Sequence, residues 1–290
     1  MRDLTNAILE LIRMTSTDLP GEVETKLNEA LILEEPGSAA RVALETILSN
    51  SKIARERSIP ICQDTGTLTF YIQYPIGWST GQIKTQIYEA VNEGIRMNYL
   101  RSLAKDRWMD VSQNELPDLN QAVTFHFEET TESTLQIDLI LKGGGCENVS
   151  TQYSLPDSSI NAGRDLDGVR KAALNTVFQA QGEGCSPGIL GIAIGGDRGS
   201  GYEEAKSTLL RPLGDVNPIL ALANLEDRIT SEGNELGIGP MGFGGRSTIL
   251  GTKISTSPRL PASFFVTISY MCWAYRHRKM WVDDSGIHYQ

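Results

Sequence analysis

Helical and strand-like patterns of apolar residues alternate along almost the whole of this 290-residue chain. The first sixty residues show the three-to-four-residue apolar spacing of helices, as at Leu4, Ile8 and Leu11. Pro60 ends this part, because proline lacks an amide hydrogen and clashes with the preceding turn. Further along, segments with strand alternation lie between more helices. We therefore predict an α/β fold: a single mixed helix-and-sheet domain over residues 1–290, with a helical N-terminal third and a strand-rich C-terminal part.

The boundaries of the elements follow from the same apolar patterns and from turn residues. Two helices are expected to begin with Ser38 and Thr80 as N-caps. Further helices are expected over residues 165–181, 201–210 and 217–232. Strands are expected over residues 68–74, 121–128, 134–142, 189–194, 247–256, 264–273 and 279–283. Residues 104–120 are polar and contain proline, so we expect a loop there.

The charge balance and the lack of long apolar segments limit the partners of the chain. Its formal net charge is -10 at pH 7, which argues against a phosphate backbone as partner, and we predict no nucleic-acid binding. The N-terminus lacks the uninterrupted apolar run of a signal peptide. The longest apolar stretch, residues 264–275, has 12 residues and is too short to span a bilayer. We therefore expect a cytoplasmic protein without membrane contact and with reduced cysteines.

Four cysteines are too few for a disulfide framework in a chain of this length, so each thiol needs its own explanation. Cys62, Cys185 and Cys272 each lie where a helix or a strand is expected to end. They are separated by 123 and 87 residues, which excludes a local CxxC knuckle and is typical of a site built from three distant turns. Thiolates are the ligands that iron–sulfur clusters and zinc select. The residues alone leave two interpretations open, since free cysteine is also among the most buried residue types.

Five sequence blocks occur in order around these cysteines. They are residues 59–66 (IPICQDTG), 142–148 (KGGGCEN), 185–196 (CSPGILGIAIGG), 238–245 (IGPMGFGG) and 272–276 (CWAYR). Together they resemble the class I (iron–sulfur) fumarate hydratases and L-tartrate dehydratases. The resemblance covers nearly the whole chain, whose length is that of the α subunit in members that consist of two subunits. One block alone would be weak support, whereas five blocks in the same order are strong support.

The resemblance implies a [4Fe–4S] cluster held by Cys62, Cys185 and Cys272. Three thiolates would ligate three irons, and the fourth iron would keep an open position. Such an iron is a Lewis acid that binds a hydroxyl and a carboxylate and helps a C–O bond to break. Cys146 is then interpreted as a residue near the substrate and not as a fourth ligand, because a fourth ligand would close the catalytic iron.

The resemblance also implies substrate contacts. Gln63 and Asp64 are expected to contact the substrate, and Asp64 is the candidate for proton transfer near the open iron. Gly144 and Gly145 are expected to let backbone amides approach a substrate carboxylate, because glycine has no Cβ. From the residues alone, Asp64 is equally well explained as a turn residue, and a turn at the end of a strand is the preferred interpretation of the glycines.

One departure from the family pattern concerns the substrate. The family has a histidine that contacts substrate twelve residues before the third cysteine, and Leu260 occupies this place here. We hypothesise that Arg259 supplies a compensating positive group. The resemblance therefore supports the cluster more strongly than it supports a particular substrate.

The resemblance leads to a prediction of function. We predict the α subunit of a hydro-lyase that adds water to, or removes it from, a small dicarboxylate, with fumarate and malate as the first choice. L-tartrate dehydratase is the alternative, and a cluster-binding homologue without activity is a third interpretation. In the family, the catalytic base and further substrate-binding residues lie on a second domain or a β subunit. We expect activity only together with a separate β subunit, in an assembly with two-fold symmetry.

Two other motifs predict different chemistry. Residues 184–188 fit G-x-S-x-G, but the nucleophile elbow requires a strand before the serine and a helix after it, and the order expected here is the reverse. Residues 195–201 are similar to a phosphate loop that opens a helix, but they lack the Lys-Ser/Thr of a P-loop. The start of that helix could still receive an anion. We therefore do not predict the active site at either motif.

Overall fold

The structure, a computed structural model, describes residues 3–101 and 123–290. The loop expected at 104–120 lies outside these residues. Contacts between the Cα atoms group the chain into two units, a first unit of residues 1–20, 50–143 and 276–290 and a second unit of residues 21–49 and 144–275. The assignment of residues 1–290 to one functional domain stays a prediction.

The described elements alternate along the chain as the apolar patterns indicate. The helices are α1 (Thr5–Thr17), α2 (Gly21–Leu33), α3 (Ala39–Arg57), α4 (Thr80–Arg96), α5 (Gly144–Asn148), α6 (Leu166–Ala180), α7 (Arg198–Ser207) and α8 (Leu220–Glu235). The strands are β1 (Thr67–Pro75), β2 (Val123–Thr130), β3 (Leu135–Lys142), β4 (Thr151–Ser154), β5 (Gly188–Ile194), β6 (Ile249–Thr256), β7 (Phe265–Met271), β8 (Arg276–Asp283) and β9 (Gly286–Tyr289). None of the helices in the described ranges is long and apolar enough to cross a membrane.

The predicted α/β class is confirmed, because α1 to α3 form a helical N-terminal third and strands dominate the C-terminal part. Ser38 caps α3, since its Oγ accepts the Arg41 amide at 3.1 Å. The predicted cap of α4 is wrong by one residue: Ser79, not Thr80, accepts the Gln82 amide. The apolar pattern does not predict α5, β4 or β9, because segments of four or five residues are too short to show a period.

A mixed five-stranded sheet forms the first unit, in the order β2-β1-β3-β8-β9. β1 and β2 are parallel, and the other neighbouring pairs are antiparallel. α1 packs against α4, β3 and β8. One face of the sheet and the inner faces of both helices share a buried apolar cluster, which includes Leu11, Ile12, Phe70, Ile87, Leu139 and Met280. Strand alternation places these sheet residues on one face, because successive side chains point to opposite sides.

The second unit contains a four-stranded sheet in the order β4-β7-β5-β6. β5 is buried along its whole length, parallel to β6 and antiparallel to β7. Its side chains pack with those of α6 and α8 in a second apolar cluster, which includes Val169, Val177, Ile192, Ile229 and Ile268. Burial on both faces explains why the sequence of β5 is apolar without interruption.

Buried charges hold the segment after α7 against β6 and α8. Glu226 is buried, and its Oε1 accepts hydrogen bonds from Arg211 Nη1 at 2.7 Å and Asn217 Nδ2 at 2.8 Å. Lys253 Nζ lies 2.6 Å from Asp215 Oδ1. Burial raises the pKa of Asp215, but hydrogen bonds from Arg211 and Lys253 lower it overall. The buried ionic groups are therefore paired, as a low-dielectric interior requires.

Gly191 in β5 lies directly against α7, which leaves no room for a side chain at this position. A Cβ on Gly191 would lie 2.2 Å from the Ala205 carbonyl oxygen, whereas a Cβ on Gly214 would have no neighbour within 4 Å. We expect Gly191→Ala to lower the free energy of unfolding by about 1–3 kcal/mol through overpacking. Gly214→Ala, the matched control, is expected to leave it nearly unchanged. Chemical denaturation of both variants measures the difference, and equal midpoints would contradict the packing of α7 on β5.

Candidate active site

The segment around Cys62 lies in the first unit, between α3 and β1. The Ile61 amide donates to the Ser16 carbonyl at 3.0 Å, and the Ile61 carbonyl accepts from Asn50 Nδ2 at 2.8 Å. Both hydrogen bonds fix the backbone immediately before Cys62, whose thiol is free and half-buried. The thiol therefore lies on an anchored turn after the exit of α3.

Asp64 forms a turn and also faces the run of glycines. Its Oδ1 accepts the Gly66 amide at 3.1 Å, which confirms the turn that the residues alone explain. A Cβ on Gly143 would lie 2.7 Å from Asp64 Oδ2, so the carboxylate lies directly against the glycine backbone. Within the first unit, Asp64 thus connects the Cys62 segment with the end of β3.

The sequence pattern does not identify Arg101, yet this residue contacts the same turn. Its amide donates to Thr65 Oγ1 at 3.1 Å, and its Nη1 donates to the Gln63 carbonyl at 3.2 Å. The side chain of Gln63 is exposed. Arg101 therefore places a positive charge beside the turn that carries Gln63 and Asp64. A single arginine in a polar segment has no spacing that would reveal such a contact.

In the second unit, Cys185 lies in the turn between α6 and β5 and has a positive φ of 50°. The next residue, Ser186, is buried, and its Oγ donates to the Gly239 carbonyl at 2.6 Å. The Ser186 carbonyl accepts the Met241 amide at 2.8 Å. The sequence block at 238–245 therefore packs against the Cys185 turn and supports it.

The surroundings of Ser186 exclude the role of a nucleophile elbow. A helix, α6, precedes this serine and a strand, β5, follows it, which is the reverse of the elbow. Its hydroxyl is buried and donates to a backbone carbonyl. The serine therefore stabilises the turn that presents Cys185.

Tyr270 near the end of β7 packs on the Cys185 turn. A Cβ on Gly184 would lie 2.6 Å from the Tyr270 ring, and a Cβ on Gly188 would lie 2.4 Å from it. Both glycines are therefore needed for the ring to pack against the turn. Burial raises the pKa of the Tyr270 hydroxyl, and the nearby Cys272 thiol raises it further. Tyr270 stays protonated and adds no negative charge beside the thiols.

Three thiols of the second unit meet around Tyr270. The Cys272 amide donates to Cys146 Sγ at 3.3 Å, and the Trp273 amide donates to the Cys185 carbonyl at 3.2 Å. The thiols of Cys272, Cys146 and Cys185 lie close enough to the Tyr270 hydroxyl for each to raise its pKa. Cys185 and Cys272, which the sequence analysis assigned as ligands, are thus brought together in this unit. Cys146, interpreted from the resemblance as a residue near the substrate, lies directly beside Cys272.

The glycine run differs from the expected turn. Gly143 follows β3, while Gly144 and Gly145 form the start of the short helix α5 and are exposed. The interpretation of these glycines as a simple turn at the end of a strand is therefore wrong for the last two. They belong to the second unit, and Cys146 follows them in the same helix.

The donor set fits an iron–sulfur cluster in its chemistry. None of the four cysteines, all of which lie in the described ranges, forms a disulfide, and Cys62 and Cys185 are partly exposed. Across residues 3–101 and 123–290, no group of three His, Cys, Asp or Glu side chains is arranged to hold a single metal ion. A four-iron cluster bonds each thiolate to a different iron, so its ligands stand further apart than the ligands of one ion. Thiols, which are soft ligands once they are deprotonated, are therefore present in the required number.

The loop that carries Leu260 is held by arginines. Leu260 is 74% exposed. The Arg259 guanidinium lies 4.7 Å from the Phe264 ring, and its Nη1 donates to the carbonyls of Leu260 and Ser263 at 3.3 and 3.0 Å. Arg164 Nη2 donates to another carbonyl of the loop, that of residue 262, at 2.6 Å. Arg259 therefore has a structural role in this loop in addition to any role toward substrate.

The start of α7 is occupied by the chain's own carboxylate. Asp197 Oδ1 accepts the Gly199 and Ser200 amides, each at 2.8 Å. Hydrogen bonds from the Ser200 amide and hydroxyl and from the Gly199 amide lower the pKa of Asp197. An external anion at this helix start would meet this negative charge. The structure therefore argues against the anion site that the phosphate-loop similarity suggests.

Comparison with known proteins identifies relatives over almost the whole chain. The family model described as fumarate hydratase (Fumerase) matches residues 5–281. A putative fumarate hydratase class I from Geobacillus stearothermophilus is 44% identical over 289 residues, which are 98% of this chain and 56% of that protein. A putative L(+)-tartrate dehydratase subunit alpha from Methanocaldococcus jannaschii is 30% identical over 282 residues, which are 94% of this chain and 95% of that subunit. The L(+)-tartrate dehydratase subunit alpha of Escherichia coli K12 is 27% identical over 280 residues, 94% of this chain and 88% of that subunit.

These relatives differ in length. The chain spans little more than half of the Geobacillus protein, at 56%, but nearly the whole of the two subunits named alpha. The resemblance inferred from the five sequence blocks is confirmed by the match over residues 5–281. The chain belongs to the fumarate hydratase (Fumerase) family.

Proposed function

We propose that this chain is the α subunit of a [4Fe–4S]-dependent hydro-lyase that hydrates and dehydrates a small dicarboxylate, with fumarate and malate favoured. The observation that carries the proposal is the meeting of Cys185 and Cys272 around Tyr270 in a chain of the fumarate hydratase family. Identity to a putative class I fumarate hydratase is higher, at 44%, than to the tartrate dehydratase subunits, which favours fumarate.

Cys62, Cys185 and Cys272 are the proposed cluster ligands. Their sulfurs form no disulfide, and each cysteine lies on a turn at the end of a helix or strand. When three thiolates hold it, such a cluster supplies one iron with an open position, which is a Lewis acid for a hydroxyl or carboxylate. The neutral Tyr270 hydroxyl adds no negative charge beside Cys185 and Cys272, and backbone hydrogen bonds hold the Cys185 turn.

Asp64 is the proposed proton-transfer group, and Gln63, Gly144 and Gly145 are proposed substrate contacts. The Gly66 amide holds one carboxylate oxygen of Asp64, so the orientation of the other is set toward Gly143. A carboxylate with a fixed orientation is what proton transfer to or from a bound substrate requires. The exposed side chain of Gln63 and the exposed start of α5 are accessible to a small molecule.

A separate β subunit is the proposed partner. The chain matches 95% of a relative named subunit alpha, but only 56% of the Geobacillus protein. The name of the tartrate dehydratase relative, subunit alpha, supports a partner subunit that supplies the remaining part of the active site. Cytoplasmic location and two-fold symmetry of the assembly stay predictions from the sequence.

L-tartrate dehydratase is the second candidate, and the chain lengths favour it. The relatives that this chain covers almost completely are named tartrate dehydratase subunits. A cluster-binding homologue without activity is the third, because the exposed Leu260 stands where the family resemblance places a substrate-binding histidine.

Anaerobic reconstitution with iron and sulfide, alone and together with the β subunit from the same genome, tests the function. We expect the complex to convert fumarate to malate and the isolated chain to convert neither fumarate nor tartrate. Activity of the isolated chain would refute the need for a β subunit, and exclusive tartrate turnover would select the second candidate. No turnover by an iron-loaded complex would favour the third.

Arg259→Ala is measured in parallel, because an unchanged KM would remove its proposed role toward substrate.

Iron counting tests the ligand assignment. We expect Cys62→Ser, Cys185→Ser and Cys272→Ser each to lose most of the cluster, because a neutral hydroxyl is a poor ligand for iron in place of a thiolate. Cys146→Ser is the matched control and is expected to keep it. Iron content and visible absorbance after anaerobic reconstitution measure the result. Full iron content in all three ligand variants would contradict the assignment.

Asp64→Asn tests the proton-transfer role without removing the turn, because an amide oxygen can still accept the Gly66 amide. We expect kcat to fall by about 10²- to 10⁴-fold, the usual contribution of general acid–base catalysis, while iron content stays unchanged. Malate dehydration and fumarate hydration by the reconstituted complex give the rates. A kcat within a factor of about two of the wild type would exclude Asp64 as the proton-transfer group.

A further inference from the structure

Beyond the end of β4, two side chains accept hydrogen bonds from the edge of β7 that faced β4. β4 pairs with β7 as far as Ile268. After that point, the Tyr270 amide donates to Ser150 Oγ at 3.1 Å, and the Cys272 amide donates to Cys146 Sγ at 3.3 Å. Alternate amides of a strand face the same edge, so these two bonds continue the ladder where β4 has ended.

Both acceptors belong to one small network. Ser150 Oγ also donates to the Cys146 carbonyl at 2.7 Å, so the sulfur and the carbonyl of Cys146 each take part. Cys146 is 4% exposed. The next residue, Glu147, pairs with Lys206 Nζ at 2.7 Å and ties α5 to α7. α5 is therefore held from two sides, and Cys146 is its contact with the backbone of Cys272.

We propose that Cys146 is a positioning residue for the ligand Cys272: its sulfur accepts the Cys272 amide and fixes the backbone from which the ligand thiol projects. The inference rests on the proposed role of Cys272 in binding the cluster. Groups that hold metal ligands in place commonly contribute a factor of about 10 to 100 to metal affinity. Because α5 begins with Gly144 and Gly145, the same hydrogen bond connects the proposed substrate segment to the ligand strand.

Substitutions at Cys146 separate the acceptor from the volume of the side chain. Serine keeps an acceptor atom, although its oxygen reaches less far than sulfur. Alanine removes the acceptor and leaves the buried Cys272 amide without its partner, which is the costly outcome for a buried donor. Valine fills the space but accepts no hydrogen bond. If the hydrogen bond positions Cys272, Cys146→Ser keeps the protection of the Cys272 amide and the cluster, whereas Cys146→Val does not.

Amide exchange in the full-length cluster-free chain tests the hydrogen bond directly. Selective 15N-cysteine labelling gives one backbone signal for each of the four cysteines, and Cys272→Ser assigns the relevant signal. We expect the Cys272 amide to exchange about three- to tenfold faster in Cys146→Ala and Cys146→Val than in the wild type, as loss of one hydrogen bond predicts. Cys146→Ser is expected to stay close to the wild type. The Cys62 amide, in the first unit, is the internal control.

Iron release tests the consequence for the cluster. The anaerobically reconstituted chain is mixed with a ferrous chelator, and the loss of cluster absorbance is followed. We expect Cys146→Ala and Cys146→Val to release iron about 10- to 100-fold faster than the wild type, and Cys146→Ser to remain within a factor of about three.

The outcomes distinguish this inference from the proposed function. Unchanged exchange and iron release in Cys146→Ala, or rescue by valine as good as by serine, would overturn the positioning role. Complete loss of iron in Cys146→Ser would overturn it too, because Cys146 would then be a ligand. Full iron content in Cys272→Ser would instead contradict the proposed cluster site, while the exchange experiment would still report on the hydrogen bond.

Discussion

The contact of the Tyr270 ring with the backbone on either side of Cys185 is the constraint on which the second unit's thiol site depends. Gly184 and Gly188 leave no room for a side chain, since a Cβ at either position would lie within 2.6 Å of the ring. Because Tyr270 is two residues before Cys272, the same contact that closes the Cys185 turn also sets the position of the second thiol. A larger residue at either glycine would lift the ring and separate the two turns.

The hydrogen bonds around the thiols satisfy buried backbone groups that would otherwise be unpaired. The Ser186 hydroxyl donates to the Gly239 carbonyl, and the Trp273 amide donates to the Cys185 carbonyl. In a low-dielectric interior, these bonds stabilise the two turns, because each unpaired buried group would cost stability. Burial raises the pKa of Tyr270, so the residue in closest contact with the turn stays neutral beside three thiols. The hydrogen-bonded turns and the neutral Tyr270 hydroxyl thus surround the thiols of Cys185 and Cys272.

Much of the fold could be predicted from the sequence. Apolar spacing predicts α1, α2, α3 and α6, and strand alternation predicts β1 and β3 within a few residues. The cap of α4 is displaced from Thr80 to Ser79, because two adjacent hydroxyl residues compete and only backbone geometry decides between them. β4 and β9 have four residues each, and α5 has five, so they carry no periodic signal. Their existence depends on the neighbouring strands.

The candidate site was predictable as a set of residues, but not as an arrangement. The element types, the placing of the cysteines at turns and the family follow from the residues alone, because periodicity and ordered motifs are local properties of the chain. Three contacts depend instead on the folded chain: Cys146 with the Cys272 amide, Arg101 with the Gln63 carbonyl, and Asp64 with Gly143. Cys146 and Cys272 are 126 residues apart in the chain. Contacts over such separations are set by strand register and close backbone packing, which no local pattern encodes.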